Sequence, residues 1–146
     1  MKDYNVLTTE KFKILKNKVL EDITLTPDNI EEKSINLPVL YSRYNNIYNS
    51  QLILLKNINS DRLKTYRKIY HNYRFGGDKI NYRLDTKKEI ESYVFGDDEY
   101  LELKMVYDRQ TAIVDFLEKT LQNIQRMSFN ISHYIEIQKF KRGIVN

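Results

Sequence analysis

Cationic and aromatic side chains interleave over residues 62–83, in the run RLKTYRKIYHNYRFGGDKINYR. Arg62, Lys64, Arg67, Lys68 and Arg74 stand among Tyr66, Tyr70, Tyr73 and Phe75. Single-stranded nucleic acid asks for this pairing of residue types. Its backbone needs positive charge, and its unpaired bases have faces that stack on aromatic rings for roughly 1–3 kcal/mol each. On a helix, Arg67, Tyr70 and Arg74 fall three and four residues apart and share a face, flanked by Lys64 and Lys68. The candidate strand-binding residues are therefore Arg62, Lys64, Tyr66, Arg67, Lys68, Tyr70 and Arg74. A second reading stays open: some of these tyrosines complete an apolar stripe, the cations solvate the opposite side, and the segment grips an acidic protein partner instead.

Charge distribution points to the same segment. The chain of 146 residues carries a net charge of only +4, which by itself favours acidic partners weakly. Residues 62–88, however, hold nine Lys or Arg against Asp78 and Asp85, leaving 15 basic and 18 acidic residues elsewhere. The basic character belongs to one stretch.

Nothing comparable supports catalysis. His71 and His133 are the only imidazoles, and neither has an H-x-x-x-H partner or a carboxylate cluster beside it in sequence. Gly76-Gly77 lacks the Gly-Lys-Ser/Thr of a phosphate-binding loop. Asp97-Asp98-Glu99 reads as a helix start rather than a cation site. With no cysteine, disulfides, thiolate metal sites and cysteine nucleophiles are excluded, and an intracellular setting is expected. The N-terminus has no apolar signal region and no run of 18 apolar residues occurs, so the expectation is a protein that neither is secreted nor enters a membrane. No enzyme activity, cofactor or metal is expected.

The elements that carry these residues read as all-helical. Only four Gly and two Pro occur, too few turn signals for a strand-rich domain of this size. Phe12, Leu15, Val19 and Ile23 make one helical stripe and predict a helix over 9–23. Thr26-Pro27 looks like the start of a second short helix or turn ending near Lys33. From about Leu40 to Tyr73 no Gly or Pro intervenes; Tyr41, Tyr44, Tyr48, Leu55, Ile58 and Ile69 recur at heptad-like spacing, with Gln51, Arg62 and Thr65 as polar members. Gly76-Gly77 ends that long helix. Over 78–95, Ile80, Tyr82 and Leu84 alternate like a strand, whereas Lys87 to Phe95 reads as a turn or two of helix. After the break at Gly96, the residues Leu103, Val106, Gln110, Ile113, Leu117, Thr120, Ile124 and Met127 step 3-4-3-4-3-4-3, a coiled-coil seam. Val114 and Leu121 widen it enough to meet two neighbours. A last helix over 128–142 presents Ile131, Tyr134, Ile135, Gln138 and Phe140.

The fold class that follows is a long helical hairpin with short N-terminal helices and further helices at the C-terminal end. Such a hairpin has little interior for its length, so its stripes either stay exposed on a lone subunit and drive self-association, or fold inward into a compact monomeric bundle. The first reading assigns oligomerisation to Leu103, Val106, Ile113, Leu117, Leu121, Ile124, Ile131, Ile135 and Phe140.

Three stretches, taken in order, resemble the UvsY-type recombination mediators of tailed phages. They are Leu40-Tyr41-Ser42-Arg43-Tyr44, the basic run ending at Arg74-Phe75-Gly76-Gly77, and Phe129-Asn130-Ile131 through Lys139-Phe140-Lys141-Arg142-Gly143. The likeness covers about residues 38–143. It implies a mediator that binds single-stranded DNA, contacts a RecA-like phage recombinase and the phage single-stranded-DNA-binding protein, and helps the first replace the second in the cytoplasm of the infected host cell. It also implies a homo-oligomer, a hexamer or heptamer ring, closed through the C-terminal helices. A Lys-Ala-Arg-Leu segment associated with DNA binding in the family falls on Arg67-Lys68-Ile69-Tyr70, where the charges are adjacent rather than two apart. Residues 1–35 then read as an added helical arm and 36–146 as the mediator-like domain, with 38–95 its DNA-binding part and 97–143 its oligomerisation helices.

Overall fold

The computed structural model describes residues 2–76, 84 and 86–143. Among these, four helices and no strand occur: α1 (Thr9–Ile23), α2 (Ile30–Phe75), α3 (Lys87–Phe95) and α4 (Asp98–Lys141). The chain divides into two compact units, one of Leu7–Ser50 with Ile113–Asn146 and one of Met1–Val6 with Gln51–Ala112.

In the first unit, α1 starts where the Thr8 hydroxyl accepts from the Lys11 N–H at 3.2 Å, with Glu10 in the favourable first turn. It ends at Thr24, whose N–H donates to the Leu20 carbonyl. The opening of α2 departs from expectation. Pro27 lies in a turn rather than at the first helical position, and the ladder begins at Asn29, whose carbonyl accepts from Lys33 at 2.9 Å. Asn29 also ties the turn with its side-chain amide, accepting from the Thr26 N–H and donating to the Thr24 carbonyl. No break follows at Lys33, and the helix continues through Pro38. Pro38 cannot donate to the Ser34 carbonyl, but both residues are exposed, so water can serve that carbonyl.

The unit's core is Val19, Tyr44, Ile113, Val114, Leu117, Leu121, Ile124, Met127 and Ile131. As the widened seam requires, α4 meets two neighbours: α1 through the edge-on pair Phe12–Phe116 at 5.5 Å, and α2 through Gln125 and the Tyr41 hydroxyl at 3.5 Å. The end of α1 is fastened to α2 by polar groups. Lys33 donates to the Glu21 and Asp22 carbonyls, and the Tyr44 hydroxyl donates to the Asp22 carboxylate at 2.6 Å. Burial pushes the Asp22 carboxyl upward, but Tyr44, Lys18 and Arg43 together outweigh it and leave the group below its usual range. Burial and the bond to Asp22 drive the Tyr44 hydroxyl far above its ordinary value.

The helix expected over 128–142 is no separate element but the continuation of α4. Ser128 and Asn130 interrupt the apolar run without breaking the hydrogen-bond ladder, and the stripe carries on from Met127 to a buried Ile131.

In the second unit, α2 and α4 run antiparallel. Gln110, fully buried, donates to both the carbonyl and the side-chain oxygen of Gln51 at 2.9 Å; farther along, Arg62 reaches the Tyr100 hydroxyl at 3.3 Å. Ile69, Leu84, Ile90, Val94 and Tyr100 form a buried cluster, with Tyr66, Tyr70 and Tyr73 packed against it. α2 ends as the glycine pair suggests. Gly76 takes the left-handed conformation, φ 84°, with its N–H on the Asn72 carbonyl. Of the alternating stretch, Ile80 and Tyr82 lie outside the described residues, while Leu84 is buried and donates to the Tyr73 carbonyl. Lys87 to Phe95 is helical as expected, and Asp97 caps α4 by accepting from the Glu99 N–H at 3.0 Å.

Candidate nucleic-acid interface

At 100° per residue, the last four turns of α2 divide into two faces. Arg62, Thr65, Tyr66, Ile69 and Tyr73 point inward and are buried or half-buried, whereas Lys64, Arg67, Lys68, His71, Arg74 and Phe75 are exposed. The four exposed cations span an arc of about 120°. Tyr70, half-buried, sits at its margin.

The seven residues singled out from sequence thus separate. Lys64, Arg67, Lys68 and Arg74 come together on the solvent face, with Tyr70 beside them. Arg62 is held inside: its guanidinium donates to the Asn59 side chain at 2.9 Å, reaches Tyr100, and stacks over the Tyr107 ring at 4.6 Å. Tyr66 is likewise committed, its ring within about 6 Å of Tyr70, Phe95 and Tyr100. Burial, followed by the negative charge of Glu91, raises its hydroxyl above the ordinary value. Both residues are half-buried and engaged within the chain.

The aromatic group that does lie among the cations is Phe75, exposed, with His71 against it at 4.9 Å and the Arg74 guanidinium over its ring at 5.2 Å. His71 carries no catalytic or metal-binding pattern in sequence and was not among the seven candidates. The signal was the spacing Lys64, Lys68, His71, Phe75, which steps 4-3-4 and places all four on one stripe. Lys68 pairs with Glu99 at 3.3 Å; both are well exposed, so the pair is worth little and an incoming phosphate can replace the carboxylate. Lys87 and Lys88 at the start of α3 are exposed as well.

The residues assigned to oligomerisation also divide. Leu103, Ile113, Leu117, Leu121, Ile124 and Ile131 are buried within the chain and Val106 is half-buried, leaving Ile135 and Phe140 exposed. Phe140 is 81% exposed and lies on one helical face with Phe129, which is 74% exposed, and Ile137. No group of three or more His, Asp or Glu among the described residues is placed to hold a metal ion. No helix among them is long and apolar enough to cross a membrane.

Residues 18–144 match the family model described as "Recombination, repair and ssDNA binding protein UvsY". The match begins within α1, earlier than the stretch whose motifs carry the resemblance. Crystal structures of the bacteriophage T4 recombination mediator protein UvsY share the fold. One superposes with a TM-score of 0.79 at 20% identity, covering 93% of this chain and 98% of that one. In a second lattice the score is 0.78 at 18% identity, covering 88% and 98%. No curated protein matches.

Proposed function

The chain belongs to the UvsY family, and from that premise we propose that it binds single-stranded DNA through the exposed cationic face of α2 and acts as a recombination mediator. The observation that carries this reading is the gathering of Lys64, Arg67, Lys68 and Arg74 on one solvent face, with Phe75 among them. Phosphates are met by the four cations, and a base can stack on the exposed ring. Arg62 and Tyr66 support the face from within.

The finer mechanism is multivalent. Identical subunits associate through the exposed apolar residues near the end of α4, Phe129, Ile135, Ile137 and Phe140, and close into a ring. Each subunit then offers one weak site, and a strand crossing several of them gains affinity through effective concentration. Wrapped in this way, the strand is handed to a RecA-like recombinase while the phage single-stranded-DNA-binding protein leaves, in the cytoplasm of the infected cell. Residues 38–95 supply the strand-binding part and 97–143 the association surface, and since the family match reaches back to residue 18, an added arm is confined to the residues before it.

Replacing Arg67 and Lys68 together by Ala tests the face. Neither side chain is part of the core, so circular dichroism should be unchanged while oligonucleotide binding is largely lost. Unchanged binding would move the site elsewhere and favour an acidic protein as the partner of this face.

A further inference from the structure

One acidic group sits at the edge of the cationic face. Asp61 lies one turn before Lys64 and Thr65 on α2, where a bare carboxylate would repel an approaching phosphate backbone. In this structure it is not bare. The N-terminal segment crosses to it: the Tyr4 hydroxyl donates to Asp61 Oδ2 at 2.6 Å, and the Lys2 ammonium stands 3.6 Å from the same oxygen. Lys2 also lies over the Tyr4 ring at 5.3 Å. The segment is set for this approach by a turn at Asn5, whose φ is 55° and whose N–H is held by the Asp3 carboxylate. Lys2, Tyr4, Asp61, Lys64 and Thr65 line one groove of about 460 Å³ together with Glu99 and Glu102. Consistent with the geometry, the bond from Tyr4 holds the Asp61 carboxyl below its usual range, while burial followed by that bond pushes the Tyr4 hydroxyl up to about 12.

We propose that residues 2–4 form a working edge of the strand-binding face, in which Tyr4 and Lys2 cover the Asp61 carboxylate and Lys2 presents a cation to the strand beside Lys64. The proposal rests on the reading of α2 as the strand-binding face and extends it to a segment outside the matched residues 18–144. The segment gains nothing for the core by docking here, since Lys2, Asp3 and Asn5 are exposed and Tyr4 is only half-buried. What it changes is the charge beside Lys64: a net negative spot becomes a neutral pair, and the 70% exposed Lys2 side chain keeps donors free for a phosphate.

The test uses the full chain and a labelled oligothymidylate, with affinity read by fluorescence anisotropy and helicity checked by circular dichroism. The variant Lys2→Gln/Tyr4→Phe should bind about fivefold more weakly, the effect of one unit charge at ~4 Å in water. Adding Asp61→Asn to that variant should recover most of the loss, because the uncovered charge is then gone. Lys2→Gln alone should flatten the dependence of log K on log salt by about 0.7 per lost phosphate contact. Arg67→Ala serves as the reference for the underlying reading. If Arg67→Ala weakens binding while the N-terminal variants bind as the parent does, or more tightly, the segment is idle or occluding and this proposal is overturned alone. If Arg67→Ala also binds as the parent does, the face itself is wrong and both readings go.

Discussion

Removing the Tyr44 hydroxyl should be costly, and the structure indicates by how much. Tyr44 is 1% exposed and donates at 2.6 Å to an Asp22 carboxylate whose side chain is 14% exposed. A bond to a charged acceptor contributes about 1.5–3 kcal/mol net. Tyr44→Phe keeps the ring, so little cavity forms and that bond is the main loss. Lys18 at 3.2 Å and Arg43 at 3.9 Å remain on Asp22 and prevent a fully orphaned charge, so about 2 kcal/mol is expected near neutral pH, or roughly 4–8 °C in melting temperature for a chain of this size. The pH dependence has a definite sign. Asp22 titrates below its unfolded value, so its contribution is present above the ordinary carboxylate range and is lost as pH falls through the depressed folded value. Urea unfolding of parent and variant, followed by circular dichroism at a series of pH values, should show a gap that is full at neutral pH and narrows in acid. A gap under about 0.5 kcal/mol, the level of an ordinary surface change, or one that does not narrow in acid, would refute the reasoning.

Other substitutions follow from the same contacts. Pro38→Ala should stabilise the protein by up to about 3 kcal/mol in thermal unfolding, because it restores a donor for Ser34 at an exposed helical position. Arg62→Ala should lower stability by about 1–2 kcal/mol through the lost bonds to Asn59 and Tyr100 and the contact over Tyr107, yet leave the salt dependence of strand binding unaltered. Phe129→Ser with Phe140→Ser should reduce the mass seen by light scattering without loss of helicity, since both rings are exposed.

Much of the fold was legible because its signals were local. The stripe from Phe12 to Ile23 marks α1, Gly76 ends α2, and the 3-4 stepping from Leu103 to Met127 marks the buried side of α4. Three boundaries were not, one of them the break expected between Lys33 and Leu40, which α2 crosses through Pro38. Thr26-Pro27 carries the residues of a helix start, and only the side-chain bonds of Asn29 move that start to Ile30. Ser128 and Asn130 weaken the apolar pattern, but a helix already propagating past Met127 needs only one bond per added residue and a buried Ile131 to continue. At the candidate site, composition singled out one segment but not the orientation of its side chains. Arg62 and Tyr66 read from sequence like their exposed neighbours, but Tyr100 and Phe95, more than 25 residues away in sequence, pack against them and leave both half-buried. The same limit explains why seam residues such as Leu117 suit a subunit interface equally well: periodicity shows that a face is covered, not whether the cover comes from the same chain. The docking of Tyr4 on Asp61 spans 57 positions and leaves no local trace.

The most direct test of the strand-binding face compares the salt dependence of oligonucleotide affinity in the parent and in Arg67→Ala/Lys68→Ala. The four cations of the face, at about −0.7 per phosphate, predict a slope of log K against log salt of about −2.8 for the parent, and the loss of two contacts should bring it to roughly −1.4. A parent slope near zero, or equal slopes in the two proteins, would contradict the account.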